Sequence, residues 1–179
     1  MSEPLNKSSV KLFISYAHKN RVWMEHLKPL LSGFKYDDRV TQSPTGLNFV
    51  HAWHDNELTA GNPWDDKIRR ALDEMDIYVP LVSMDFLASE YIQEVELKRA
   101  KERDKASEIL VVPILLYDVN LRDKYSFLYR FKALPSPWWS YYPDPCTAHR
   151  AIDDGLWEAI KEVKQRIMLA KPQSPALTT

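Results

Sequence analysis

Residues 76–83 read Asp-Ile-Tyr-Val-Pro-Leu-Val-Ser. The run is apolar almost throughout and shows no alternation. A strand with one wet face alternates between apolar and polar residues. A strand covered on both faces does not, and such strands belong to parallel sheets with helices above and below. Residues 109–117, Ile-Leu-Val-Val-Pro-Ile-Leu-Leu-Tyr, have the same character. Each run holds one proline, Pro80 or Pro113, which removes a ladder donor and predicts incomplete pairing.

Two more strands are predicted outward from these, at residues 10–16 (VKLFISY) and 48–53 (NFVHAW). Helical patterns separate them. Residues 21–34 carry Val22, Trp23, Leu27, Leu30 and Leu31 at helical spacing, with Pro29 arguing for a bend or an early end. Asn62 as N-cap, Pro63 at the first helical position and Asp65 and Asp66 in the first turn open a helix running to about Met75. Ser89 opens another, to Asp104, and residues 153–170 form the last, with Leu156, Trp157, Ile160, Val163 and Ile167 on one side. Residues 118–150 are irregular and aromatic, with room for a short edge strand. The order β-α-β-α-β-α-β, then an irregular stretch and a helix, predicts a three-layer α/β fold with a parallel sheet. Ligands of such folds bind outside the carboxyl ends of the strands. Here those ends are Ser15-Tyr16, Trp53-His54-Asp55 and Ser83.

Composition narrows the function. The chain has 179 residues, a net charge of −1 and one cysteine, Cys146. Near-neutral charge gives no reason to expect nucleic acid or an anionic membrane as partner. A single cysteine fits a reducing cytoplasm. No apolar run approaches the roughly 20 residues needed to span a bilayer. Four glycines leave no Gly-rich phosphate loop. His51 and His54 fall on opposite sides of a strand, and Cys146 with His149 makes a single C-x-x-H, so no metal is expected. Residues 1–9 and 171–179 read as a flexible N-terminus and a flexible tail or linker around a domain at 10–170.

Residues 89–100, SEYIQEVELKRA, hold three glutamates. On a helix turning about 100° per residue, Glu90 and Glu94 share a polar stripe with Lys98, Lys101 and Lys105. Glu96 lies about 160° from Glu94 on that wheel, beside Ile92, Val95 and Ala100. A carboxylate on the packing side loses hydration and needs a reason. Two are open: a buried salt bridge, to Arg99 or another arginine, or a functional site.

Three segments, FISYAHKN, WHDNELTAGNPWDDKI and LVSMDFLASEYIQEVELKRA, together resemble a TIR (Toll/interleukin-1 receptor) domain of the bacterial type. The resemblance implies a flavodoxin-like three-layer sandwich with a five-stranded parallel sheet. Some members only scaffold signalling complexes through TIR–TIR contacts. Others are NAD glycohydrolases, which need a glutamate in the helix after the third strand, five residues beyond an aromatic. Here those residues are Glu96 and Tyr91.

The enzymatic branch implies NAD as substrate with no cofactor, linear or cyclic ADP-ribose as product, and an immune or cell-death role such as anti-phage defence, with a further domain or activator protein as partner. It assigns Glu96 as catalytic, and Ser15, Tyr16, His18, Asp55, Trp64, Ser83 and Tyr91 to substrate binding, Trp64 and Tyr91 as stacking surfaces. It also implies that the loop with Glu57, Thr59 and Gly61 reaches a neighbouring protomer. The bland readings stand beside these: a strand-to-helix turn for residues 15–18, and capping for Asp55. The cluster PWWSYYP at 137–143 reads as core packing under the last helix, or else as a partner surface.

Overall fold

A computed structural model describes residues 10–34, 63–122 and 125–170. Strand β1 (Leu12–Ser15) leads to helix α1 (Arg21–Gly33). Helix α2 (Pro63–Glu74) leads to β2 (Ile77–Val82), then to the short α3 (Met84–Ala88). A π-helical turn (Ile92–Leu97) continues directly into α4 (Lys98–Lys105). The short strands β3 (Leu110–Val111) and β4 (Ile114–Leu115) follow, then α5 (Ser126–Tyr129) and the long α6 (His149–Ala170).

All described strands run parallel. β2 is central, with β1 on one side (Phe13 opposite Tyr78, Ser15 opposite Pro80) and β3 and β4 on the other. The expected single strand at 109–117 is split at Val112-Pro113, where the proline has no N–H to give. Leu134 adds one parallel bridge beside Ile114, the expected edge element reduced to a single pairing. Gly155 in α6 makes room for it, because a Cβ there would collide with the Leu134 side chain. The strand predicted at 48–53 lies outside the described residues.

Alternation within the strands feeds two cores. Leu12, Ile14, Ile77, Val79 and Leu81 pack with α1 and α6, around Met24, Leu27, Leu31, Ile152, Leu156 and Ile160. Phe13, Tyr78 and Val82 pack on the other face with Ile68 and Leu72 of α2, Phe86 of α3, and Ile92 and Leu97 of the π turn. Helices therefore cover both faces of the sheet, which is why β2 has no polar alternation. Trp139, fully buried, joins the first core, 5.1 Å from the Trp23 ring, while Tyr141 beside it is exposed. The 137–143 cluster is thus split, with one aromatic anchoring the core.

Two helix readings are corrected. Pro29 does not end α1, which runs on to Gly33. The last helix begins at His149, a turn before the predicted start. A third feature was invisible in the sequence: the buried Arg103 donates from Nη1 to the Leu72 and Met75 carbonyls, at 2.8 and 2.7 Å, closing the end of α2. Arg103→Met is expected to leave these carbonyls unsatisfied and to cost about 3 kcal/mol, read as a lower urea midpoint with an unchanged m-value.

Candidate functional site

Ser15 closes β1 and Ser83 follows β2, so both sit at the carboxyl-end rim of the sheet. Ser83 is the N-cap of α3: its hydroxyl accepts from the Phe86 N–H at 3.0 Å and donates to Asn20 Oδ1 at 2.6 Å. Asn20 is itself buried. This cap turns the chain back across the rim, and the helix that follows carries Glu96 toward β1.

Glu96 is 6% exposed, whereas Glu90 and Glu94 face solvent. The backbone around it is wider than an α-helix, since residues 92–97 form a π turn. Such turns are rare and concentrate at functional sites. The extra residue in the turn lets Ile92, Glu96 and Leu97 all bury together.

The Glu96 carboxylate has an unusual environment. It accepts a hydrogen bond from the Ser15 hydroxyl. Among the described residues no arginine or lysine pairs with it. Arg99, the expected partner, pairs instead with Asp73 (2.7 Å) and Glu102 (3.1 Å) at the surface. Burial without a cation pushes the Glu96 carboxyl up to about 7, against an ordinary 4.5, with the Ser15 hydrogen bond opposing the rise. The group therefore changes charge near neutral pH.

Tyr91 is half-buried one turn earlier, and its hydroxyl donates to Asp65 Oδ1 at 2.6 Å. Burial pushes the phenol up, the hydrogen bond to Asp65 and its charge add to the rise, and the Glu96 charge adds less. Asp65 is held below the usual carboxylate range by the Tyr91 hydrogen bond and then by Arg69, 2.7 Å away. Asp65 and Arg69 thus fix the Tyr91 ring. On β2, the fully buried Tyr78 lies in the same core.

The structure brings together Ser15, Glu96, Tyr91 and the unforeseen Asp65 and Tyr78. The Asp65–Arg69 pair was readable from its four-residue helical spacing. Tyr78 left only a faint signal, a polar atom in an apolar run. Tyr16 packs in the opposite core with α1, and His18 is exposed on the turn before α1. Asp55, Glu57, Thr59, Gly61 and the Trp64 side chain lie outside what the structure describes.

A family model for the TIR domain matches residues 12–134, more than half of the chain. The chain belongs to the TIR domain family. This TIR domain is also similar to the uncharacterised protein y4lF of Sinorhizobium fredii, with 34% identity over 109 residues. That match covers 59% of this chain and 29% of the relative, so the TIR domain spans under a third of that protein's length. Among the described residues no helix is long and apolar enough to cross a membrane.

Proposed function

We propose that this TIR domain is an NAD glycohydrolase that breaks the bond between nicotinamide and ribose, with Glu96 as the catalytic carboxylate. The observation that supports this best is a buried carboxylate at the ligand-binding rim, facing a hydroxyl and no cation among the described residues. A carboxylate kept for stability in a scaffold is expected to have a buried arginine beside it. Glu96 instead meets no cation among the described residues, and the nicotinamide ring of NAD is cationic.

When the bond between ribose C1′ and the ring nitrogen breaks, its electron pair returns to nitrogen and nicotinamide leaves neutral. The positive charge passes to the ribose as an oxocarbenium ion. The leaving group needs no proton, so the second carboxylate of ordinary glycosidases is unnecessary. Ionised Glu96 binds the ribose hydroxyls and stabilises the growing charge from a fixed, water-poor position. Water then attacks C1′ and releases a proton, giving ADP-ribose. An adenine nitrogen attacking instead gives the cyclic product. The Tyr91 ring offers a stacking surface for nicotinamide.

The proposed site also calls for self-association. With the loop at 55–62 completing a neighbour's pocket, a head-to-tail contact follows, which need not close. Nicotinamide release per mole of protein is then expected to rise with protein concentration, and Glu57→Lys to flatten that rise. A specific activity constant across a wide dilution series would show each monomer to be complete. No release at any concentration would leave the scaffold reading, in which TIR–TIR contacts are the whole function. With activity in a bacterial cell, the consequence is loss of NAD, as an immune or cell-death response requires.

A further inference from the structure

Tyr78 sits at the centre of the sheet with no exposed surface, yet its hydroxyl makes no hydrogen bond of ordinary geometry among the described residues. An orphaned buried hydroxyl costs free energy, on the order of 1–3 kcal/mol, and calls for an explanation. Its placement supplies one. Tyr78 is in register with Phe13 on β1, its ring stacked on Phe13 at 6.1 Å. The next residue of β1 on the same face is Ser15, by the two-residue period of a strand. Burial pushes the Tyr78 phenol up, the Glu96 charge adds to the rise, and the neighbouring Ser15 hydroxyl opposes it. Ser15 already gives its only proton to Glu96, so its oxygen is free to accept one.

We propose that Tyr78 is a positioning residue for Glu96: its hydroxyl donates to Ser15 Oγ and so fixes the Ser15 proton on the Glu96 carboxylate. Tyr78 is fully buried behind Ser15 and acts through it. A serine hydroxyl alone can rotate and accept from a protonated carboxyl as readily as donate to an ionised one. A donor behind it removes that choice. The chain Tyr78–Ser15–Glu96 therefore favours the ionised carboxylate, the form that can stabilise an oxocarbenium ion.

Of the other charged groups on the elements around Glu96, Asp66, Lys67 and Arg70 of α2 and Glu90, Glu94 and Lys98 of its own helix are exposed, the Tyr91 phenol feels the Glu96 charge, and several of the rest pair with one another. Asp65 and Arg69 of α2 hold each other and Tyr91, Asp85 of α3 pairs with Lys19, and Asp73 of α2 pairs with Arg99 of α4. Ser15 and Tyr78 remain as the polar groups from the sheet.

The effect on activity rests on the NAD-cleaving reading, whereas the effect on Glu96 itself does not. The test is a titration of Glu96 by carbon-13 NMR in protein with labelled glutamate side chains, the signal assigned by its loss in Glu96→Gln. The wild-type midpoint is expected near 7. Tyr78→Phe, which removes only the oxygen, should raise it by about one pH unit, and adding it to Ser15→Ala should raise it no further. The parallel activity profile should move with it, leaving Tyr78→Phe about fivefold slower at pH 7 and equal to wild type above pH 9. A Glu96 midpoint unmoved by Tyr78→Phe, or moved equally with Ser15 absent, overturns the proposal. If the midpoint moves while NAD stays intact, Tyr78 positions Glu96 and the glycohydrolase reading falls alone. Should Tyr78→Phe not fold, fluorotyrosine incorporation keeps the test: a stronger phenolic donor must lower the Glu96 midpoint in wild type and leave it in place in Ser15→Ala.

Discussion

Glu96→Ala is expected to lower nicotinamide release by at least about a hundredfold, and as much as a thousandfold, the usual loss when a fixed electrostatic group is removed from a buried site. The variant should remain folded. Glu96 makes one hydrogen bond, to Ser15, and among the described residues no ion pair depends on it. Its removal therefore orphans no buried charge among the described residues. Circular dichroism and thermal melting check the fold, and nicotinamide release measured on the same preparations checks activity. A variant that keeps wild-type turnover would exclude Glu96 as the catalytic group, and one that unfolds would assign it to the core.

The second large effect is the opposition of activity and stability as pH rises. The folded Glu96 carboxyl titrates at about 7 and the unfolded one at about 4.5. Folding therefore favours the protonated form. The favourable contribution is complete below pH 4.5 and is lost as pH rises through 7, up to on the order of 3 kcal/mol. Glu96→Gln, neutral at every pH, should match wild type in stability near pH 4.5 and exceed it at pH 8. Activity runs the other way. With the ionised carboxylate as the active form, kcat/KM should increase through pH 7 and be about tenfold below its plateau at pH 6. Urea denaturation of both proteins at pH 5 and 8, beside the kcat/KM profile, reads both slopes. Equal stability differences at the two pH values would mean that Glu96 titrates normally.

Much of this was legible in the chain, for reasons that can be named. Asp76–Ser83 reads as a strand buried on both sides because its interior, residues 77–82, is apolar without alternation, and that calls for helices on both faces. Glu96 stands out because a carboxylate on an apolar helix side needs either a buried cation or a functional site to explain it. The π turn at Ile92–Leu97 left no mark, since nothing in the local preferences of its residues distinguishes it from an α-helix. Pro29 misled because a proline costs a helix one hydrogen bond, which the packing of Met24, Leu27 and Leu31 more than offsets. Arg103 was unreadable as a cap because its carbonyl partners lie about 30 residues away, on a different helix. Tyr78 was hidden by its own neighbours: in a run of valine, leucine and isoleucine, a tyrosine counts first as volume.

On the proposed reading, Glu96 serves NAD cleavage and not the fold. The most direct test is chromatography of NAD incubated with concentrated wild-type protein and with Glu96→Gln at pH 8. Nicotinamide and ADP-ribose, linear or cyclic, are expected in equal amounts from wild type, and intact NAD with a more stable Glu96→Gln. Intact NAD with both proteins, at concentrations where the wild type self-associates, would contradict that reading and leave this TIR domain an interaction module.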